Sequence, residues 1–353
     1  MDPLRDLVIT PEILRLIAEL DEFKGRWHAL NGLAAERLST LRRVATIESV
    51  GSSTRIEGAR LSDDEVEELL SRVGMRSFRT RDEQEVAGYA RAMELVFDSW
   101  RDVALTENHL KQLHQELLRH SDRDARHRGQ YKTAPNHVEA FDADGRSLGV
   151  VFATASPFDT PRLMDALVRW TAAALEDGEH HPLLVVAAFV VRLLAVHPFQ
   201  DGNGRVSRVV TTLLLLRAGY GWVPYSSLER VVEENKDGYY RALRLAQSTL
   251  DQGEKNLGDW VSFFLRCLKQ QKDALQRKLD LEQRMAALPA LDEKLVEIAR
   301  RHGRLTMRSA VEATGANRNT LKTHLRKLVE SGHLAQHGDG RGTWYAVGES
   351  GAD

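Results

Sequence analysis

Twelve consecutive residues, His197-Pro198-Phe199-Gln200-Asp201-Gly202-Asn203-Gly204-Arg205-Val206-Ser207-Arg208, concentrate an imidazole, a carboxylate, two glycines and two guanidinium groups. His197 can take a proton near neutral pH. Asp201 is a hard oxygen ligand suited to Mg²⁺ bridging phosphates. Gly202 and Gly204 allow positive φ and close approach of a ligand. A glycine-rich turn that opens a helix aims successive N–H groups at one anion. Arg205 and Arg208 lie three apart, share a face and can clamp successive phosphates. Together these groups suit a nucleoside triphosphate, a metal and an acceptor hydroxyl. A plain helix-to-helix turn with surface charges would account for a lone Gly-x-Gly, but not for this density of polar groups between two apolar runs.

Those runs must position the loop. Leu183 to Val196 is apolar nearly all round and reads as the central buried helix; Val209 to Leu216 reads as a second. Upstream, Pro11 suits the first turn of a helix with Ile13, Leu14, Ile17 and Leu20 as its apolar positions. A second segment runs from about Leu33 through Val50, and Trp27 and Leu30 pack where the two meet. The stretch Ile47 to Gly58 reads as a helix stopped by Gly58, with Glu57 in its last turn. The helix dipole disfavours a carboxylate there, so Glu57 needs a cationic partner. Ser62 and Glu65 form a capping box. Asp82 to Trp100 carries Tyr89, Met93 and Val96 on one stripe. Thr106 caps a helix with Leu110, Leu113, Leu117 and Leu118 inward. His109, His114, His120 and His127 match no zinc spacing and read as solvated or hydrogen-bonded rings.

The helical pattern breaks over His127 to Val138, where Gly129, Pro135 and an Asp144-Gly145 turn predict extended chain or a short hairpin. Pro161 to Leu175, Asn235 to Leu243 and Trp260 to Ala287 return to helix. Adjacent Tyr239 and Tyr240 cannot share a helix face, which predicts one packed inward and one beside the site.

The chain has 353 residues, room for two or three domains, with 42% hydrophobic and 28% charged residues, an ordinary globular balance. A net charge of −2 excludes a global attraction to polyanions. The single cysteine, Cys267, excludes a disulfide framework and reads as a buried structural thiol. The N-terminal residues carry no basic-then-apolar signal, and the longest apolar run is shorter than the roughly 20 residues a membrane span needs. The expectation is a cytoplasmic protein with no membrane partner.

The loop resembles, at every defined position, the HPFx(D/E)GNGRxxR signature of the Fic family, whose members mostly transfer AMP from ATP to protein hydroxyls. The resemblance covers about Ile47 to Leu243 and implies a mainly α Fic fold with a short β-hairpin flap. It implies ATP as co-substrate with Mg²⁺ on Asp201, and His197 as catalytic base. The turn Gly202, Asn203 and Gly204, with the Asn203 side chain, would bind the α-phosphate, Arg205 the β-phosphate and Arg208 the γ-phosphate. Asn235 and Tyr239 or Tyr240 would line the adenine pocket. Ser53-x-x-x-Glu57-Gly58 looks like the family's (S/T)xxxE(G/N) inhibitory motif. Its Glu pairs with the second signature arginine, here Arg208, and blocks productive γ-phosphate placement. The segment after Gly129 resembles the flap that docks a target protein, with Lys132 where arginine is usual. Members often form homodimers, which extends to this chain as an expectation. The partner is a target protein, the chain itself included.

The C-terminal segment differs. From Leu291 to Val347 there are ten Lys and Arg against six Asp and Glu. The order helix, short helix, turn, helix and hairpin reads as a winged helix-turn-helix. Arg318, Asn319, Lys322, Thr323 and Arg326 lie on the outer face of its third helix and suit phosphates and base edges of DNA; a protein-docking winged helix is the alternative. The expected organisation is an N-terminal helical region at 1–100 with the inhibitory helix near 44–58, a catalytic core at 101–250, a connecting helix at 251–288 and the winged helix domain at 289–348. The leading function is a protein adenylyltransferase restrained by Glu57. The alternatives are a hydrolase removing AMP at the same site, and a nucleotide-sensing, DNA-binding transcriptional regulator.

Overall fold

The computed structural model describes residues 2–29, 35–72, 78–141, 147–250, 257–286 and 288–348. Leu30, Leu33, the Asp144-Gly145 turn and Ala287 lie outside the described residues. The fold is mainly helical, and the chain forms two compact units, Met1–Lys272 and Asp273–Asp353. The first unit holds both the N-terminal helices and the signature loop.

Helix α1 (Pro11–Ala29) starts where Thr10 Oγ1 accepts the Ile13 N–H at 3.2 Å. Its buried face is Ile13, Leu16, Leu20 and Phe23, while Leu14 is 62% exposed. That corrects the expected stripe. The helix is rotated to seat Phe23 edge-on against Trp222, 5.6 Å between centroids, and Trp27 against Tyr225 at 5.0 Å. Helix α2 (Ala35–Ile56) is one continuous helix. Its run Ser49–Thr54 is buried throughout, because serines, a glycine and a threonine let neighbouring helices close in from several sides. It stops just before Gly58, which takes φ +106°.

Capping side chains start the next helices as their sequences require. Ser62 and Glu65 close a reciprocal box on α3 (Asp63–Ser71), Thr80 and Glu83 do so on α4 (Arg81–Ser99), and Thr106 caps α5 (Glu107–Leu117). Strands β1 (Val138–Phe141) and β2 (Ser147–Phe152) pair antiparallel, with Val138 opposite Phe152 and Phe141 opposite Ser147. Helix α6 (Thr160–Asp177) then leads to α7 (Pro182–Val196), whose side chains are almost all buried. Helix α8 (Asn203–Arg217) follows the signature loop and is equally enclosed. Two such helices must sit at the centre, so the polar loop between them is fixed at the core's edge. Helices α9 (Leu228–Glu234), α10 (Lys236–Gln247) and α11 (Leu257–Ala286) follow. Trp260 of α11 is buried and donates Nε1–H to the Ala187 carbonyl at 2.8 Å, tying α11 to α7. Cys267 is buried, and burial pushes its thiol up to about 12.

In the second unit α12 (Ala290–His302), β3 (Leu305–Thr306), α13 (Met307–Thr314), α14 (Arg318–Glu330), β4 (Leu334–His337) and β5 (Trp344–Val347) enclose a core of Leu295, Ala299, Leu305, Leu321, Leu325 and Leu334. The strands form an antiparallel sheet in the order β3-β5-β4.

Candidate active site

His197 ends α7 in the left-handed conformation, φ +52° and ψ +59°, the one non-glycine with positive φ among the described residues. Such a geometry costs on the order of 1–3 kcal/mol and needs surrounding bonds to hold it. They are present. Asn136 donates its side-chain N–H groups to the His197 and Phe199 carbonyls at 3.1 and 2.6 Å. Lys132 donates its backbone N–H to Pro198 O at 2.8 Å. Its buried ammonium donates to Asn136 Oδ1, Thr154 Oγ1 and Val196 O at 2.7, 3.0 and 3.0 Å. Among the described residues no carboxylate balances that charge, and burial lowers Lys132 to about 8. Position 132 therefore serves as a brace between the flap segment and the loop.

His197 Nδ1 lies 3.2 Å from the Leu194 carbonyl. A carbonyl only accepts, so Nδ1 carries the proton and the lone pair of the neutral ring is on Nε2. Burial holds the ring below the ordinary histidine range, and the Lys132 ammonium adds to that against the pull of Leu194 O. The ring is thus neutral and basic at Nε2 at physiological pH.

The rest of the loop is braced from below. Asn203 Oδ1 accepts the Phe199 N–H at 2.8 Å and its Nδ2 donates to Phe199 O at 2.7 Å. The Asn203 amide thus braces the loop from inside with one Nδ2 hydrogen, and the residue also lines the site cavity. Gly202 takes φ +77° and opens α8 with no side-chain cap, leaving first-turn N–H groups for an anion. A Cβ at Gly204 would meet the Glu57 carboxylate, so the glycine lets that side chain come against the first turn of α8. His114 stacks on Phe199 at 3.9 Å, accepts the Gly129 N–H on Nδ1 at 2.9 Å and donates from Nε2 to Asp201 O at 3.0 Å. That pattern requires the neutral ring, and burial lowers its pKa to about 4.

A pH prediction follows. Between pH 6.5 and about 4 the unfolded chain protonates His114 and the folded chain does not, so stability falls as the pH drops through that window. The shift corresponds to about 3 kcal/mol. Urea unfolding across pH 4–7 should show a shallower acid loss for His114→Gln than for wild type.

Asp201 has a partly exposed carboxylate. Burial opposes its ionisation, but Arg205, the Gly202 N–H at 2.7 Å and Arg81 hold it below the usual carboxylate range. Arg205 is 2% exposed and turned to Glu85 and Asp201, with Nε and Nη1 lacking hydrogen-bond partners among the described residues. It does not line the site cavity. Arg208 donates Nε–H to Ser53 Oγ at 2.8 Å and Nη2–H to Ser53 O at 3.0 Å and Glu57 Oε1 at 2.8 Å. Burial opposes its charge, yet Glu57 raises its pKa overall. Desolvation likewise opposes the Glu57 carboxylate, but Arg208 and Arg205 hold it below its ordinary value.

One cavity of about 680 Å³ gathers Glu57, His137, His197, Asp201, Gly202, Asn203, Gly204, Arg208, Lys236, Tyr239 and Tyr240. Both tyrosines reach it, their rings edge to face at 5.3 Å, where one was expected to turn away. Asn235 does not; its amide donates to Val231 O at 2.8 Å and faces Gln270, which corrects its expected place in an adenine pocket. Arg318, Asn319, Lys322 and Arg326 are exposed along α14 in the second unit. The sequence reading gave no role to Asn136, Glu85, Arg81 or His137, since each looks locally like an ordinary solvated side chain.

Residues 104–215 match the Fic/DOC family. Protein adenylyltransferase Fic of Drosophila virilis is 27% identical over 293 residues, covering 80% of this chain and 53% of that protein. The Drosophila melanogaster protein of the same name is 26% identical over 268 residues, 74% of this chain and 48% of its own. The chain spans about half the length of these curated relatives. A Fic family protein from Desulfovibrio desulfuricans G20 has the same architecture, with a TM-score of 0.63, 26% identity and 98% of each chain covered. Fic-1 of C. elegans (residues 134–508) shares the fold at TM-score 0.59 and 19% identity, over 77% of this chain and 73% of that one. The Fic segment ends within α8 and so contains the whole signature loop.

Proposed function

We propose that the Fic segment is a protein adenylyltransferase that moves AMP from ATP to a Ser, Thr or Tyr hydroxyl, restrained by Glu57 of the same chain. The observation that carries this reading is a single cavity holding a basic imidazole nitrogen, an uncapped helix N-terminus, Arg208 and two tyrosines. The adenine lies against Tyr239 and Tyr240, and the triphosphate runs along the first turn of α8. Arg205 turns from Glu85 to the β-phosphate. Arg208 reaches the γ-phosphate once Glu57 lets go. His197 Nε2 takes the hydroxyl proton as the oxygen bonds to the α-phosphorus and the bond to the bridging oxygen breaks, releasing diphosphate. The protein contributes position and charge neutralisation.

The ionised, partly exposed Asp201 carboxylate fits Mg²⁺, which takes one protein carboxylate together with phosphate oxygens and water. When bound, the ion supplies neutralisation of phosphate charge. Incubation with ATP and Mg²⁺ followed by mass spectrometry tests the reading. An adenylylated Ser, Thr or Tyr peptide is expected; no adenylylation of the protein or of added lysate by either wild type or Glu57→Gly sinks it. Removal of AMP from a modified protein uses the same groups, with Glu57 in the cavity to orient water.

The second unit supports a further reading, DNA binding by a winged helix, because α14 presents Arg318, Asn319, Lys322 and Arg326 to solvent beside the β4–β5 hairpin. In gel shifts on genomic fragments, Lys322→Ala with Arg326→Ala should weaken binding and reduce its salt dependence by a slope of about 2. No specific shift by wild type at moderate salt removes this reading.

A further inference from the structure

Four charged side chains close a ring beside the cavity. Arg81 Nε meets Glu85 Oε1 at 2.7 Å and its Nη2 meets Asp201 Oδ2 at 3.3 Å. Arg205 Nη1 meets Glu85 Oε2 at 3.2 Å and its Nη2 meets Asp201 Oδ1 at 3.6 Å. The ring is neutral, but its two arginines differ. Arg205 is 2% exposed and enclosed, whereas the Arg81 and Asp201 side chains are 54% and 40% exposed. The Arg81–Asp201 contact is therefore solvated and readily exchanged.

The oxygens of Asp201 also differ. Oδ1 accepts the Gly202 N–H at 2.7 Å and faces Arg205, so the loop itself engages it. Oδ2 is the oxygen that remains for a cation, and Arg81 covers it. Arg81 has a second seat, since Glu85 lies one turn along α4 and already holds its Nε.

We propose that Arg81 is the resident counter-cation of Asp201, holding the carboxylate until a divalent cation arrives with the nucleotide and then falling back on Glu85. The proposal rests on the reading of the cavity as an ATP site. Its consequence is a split between two conditions. Without metal, a bare Asp201 carboxylate repels a triphosphate, and Arg81 masks it. With Mg²⁺, the ion does the masking, and Arg81 is a competitor rather than a helper.

Calorimetric titration of the full chain with ATP, once in EDTA and once in excess Mg²⁺, separates these roles. Arg81→Gln should weaken metal-free ATP binding about tenfold, the effect of unmasking one charge at close range in a partly solvated site. With Mg²⁺ the affinity should be unchanged or tighter. Arg81→Lys should restore the metal-free affinity, and Arg81→Gln should have little effect in an Asp201→Asn background, where no charge is left to mask. Equal losses in both conditions would make Arg81 an ordinary phosphate contact and overturn the proposal, as would an unchanged metal-free affinity in a variant whose thermal melt matches wild type. Wild type that binds ATP in neither condition overturns the ATP reading itself, and the proposal with it.

Discussion

Glu57→Gly is expected to raise AMP transfer about ten- to hundredfold and to lower thermal stability. The physical basis is the double engagement of Arg208. In the resting chain its guanidinium is spent on Ser53 and Glu57, with Nη2 shared between the Ser53 carbonyl and the Glu57 carboxylate. A γ-phosphate must displace the carboxylate to use the same group. A hydrogen bond to a charged partner contributes about 1.5–3 kcal/mol, and each 1.4 kcal/mol is a factor of ten in rate, which gives the range. The same removal leaves a 7% exposed Arg208 without its counter-charge. Breaking one side of a buried pair costs about 3–5 kcal/mol, and solvent access to Glu57, 32% exposed, reduces that to about 1–2 kcal/mol. The sign with pH is fixed by the lowered Glu57 pKa. The carboxylate's contribution is present above its unfolded value and is lost as pH falls through the depressed folded one, so the stability difference between wild type and Glu57→Gly closes in acid. Self-labelling assays beside thermal melts read both effects. A variant as slow as wild type removes Glu57 as the restraint.

His197→Ala is expected to lower the rate of transfer about 10²- to 10⁴-fold, the usual contribution of a positioned base, while ATP affinity changes little. The ring sits at the end of α7 rather than on the phosphate-binding helix turn, so its loss leaves the anion site standing. Because Nδ1 is committed to Leu194 O and burial holds the pKa below the ordinary histidine range, the neutral base persists into mildly acidic solution. The acid limb of the pH–rate profile of Glu57→Gly should therefore lie below pH 6.5. Retained transfer in His197→Ala would remove His197 as the base, and an acid limb above pH 7 would contradict its buried environment.

Much of this was legible in the chain. The signature loop stands out because its chemistry is contiguous and flanked by helices that polar residues interrupt only rarely. Capping residues at Ser62 and Thr106 set helix starts by local hydrogen bonding, which sequence displays directly. Glu57 was visible as a carboxylate at an unfavourable helix end, but the partner 151 residues away followed from family resemblance alone. What escaped was decided by tertiary packing. The stripe of α1 turned on Phe23 meeting Trp222, which no 3.6-residue count could choose over Leu14. Glu85 and Arg81 have the ordinary look of a charged helix face, and only the return of the signature loop onto α4 gives them a purpose. Nor does the sequence show that Phe199, four residues earlier, presents both its backbone groups to the Asn203 amide. Asn235 was misplaced for a similar reason, since α9 ends on it and takes its amide.

The central claim is that the α-phosphorus of ATP, not the γ-phosphorus, is transferred to a protein hydroxyl at His197. Parallel incubations of Glu57→Gly with ATP labelled at the α- or the γ-phosphorus, beside Glu57→Gly/His197→Ala, test it most directly. The expected result is protein-bound label from α-labelled ATP only, with diphosphate released and no label in the double variant. Protein-bound label from γ-labelled ATP, or equal α-labelling without His197, would contradict the account.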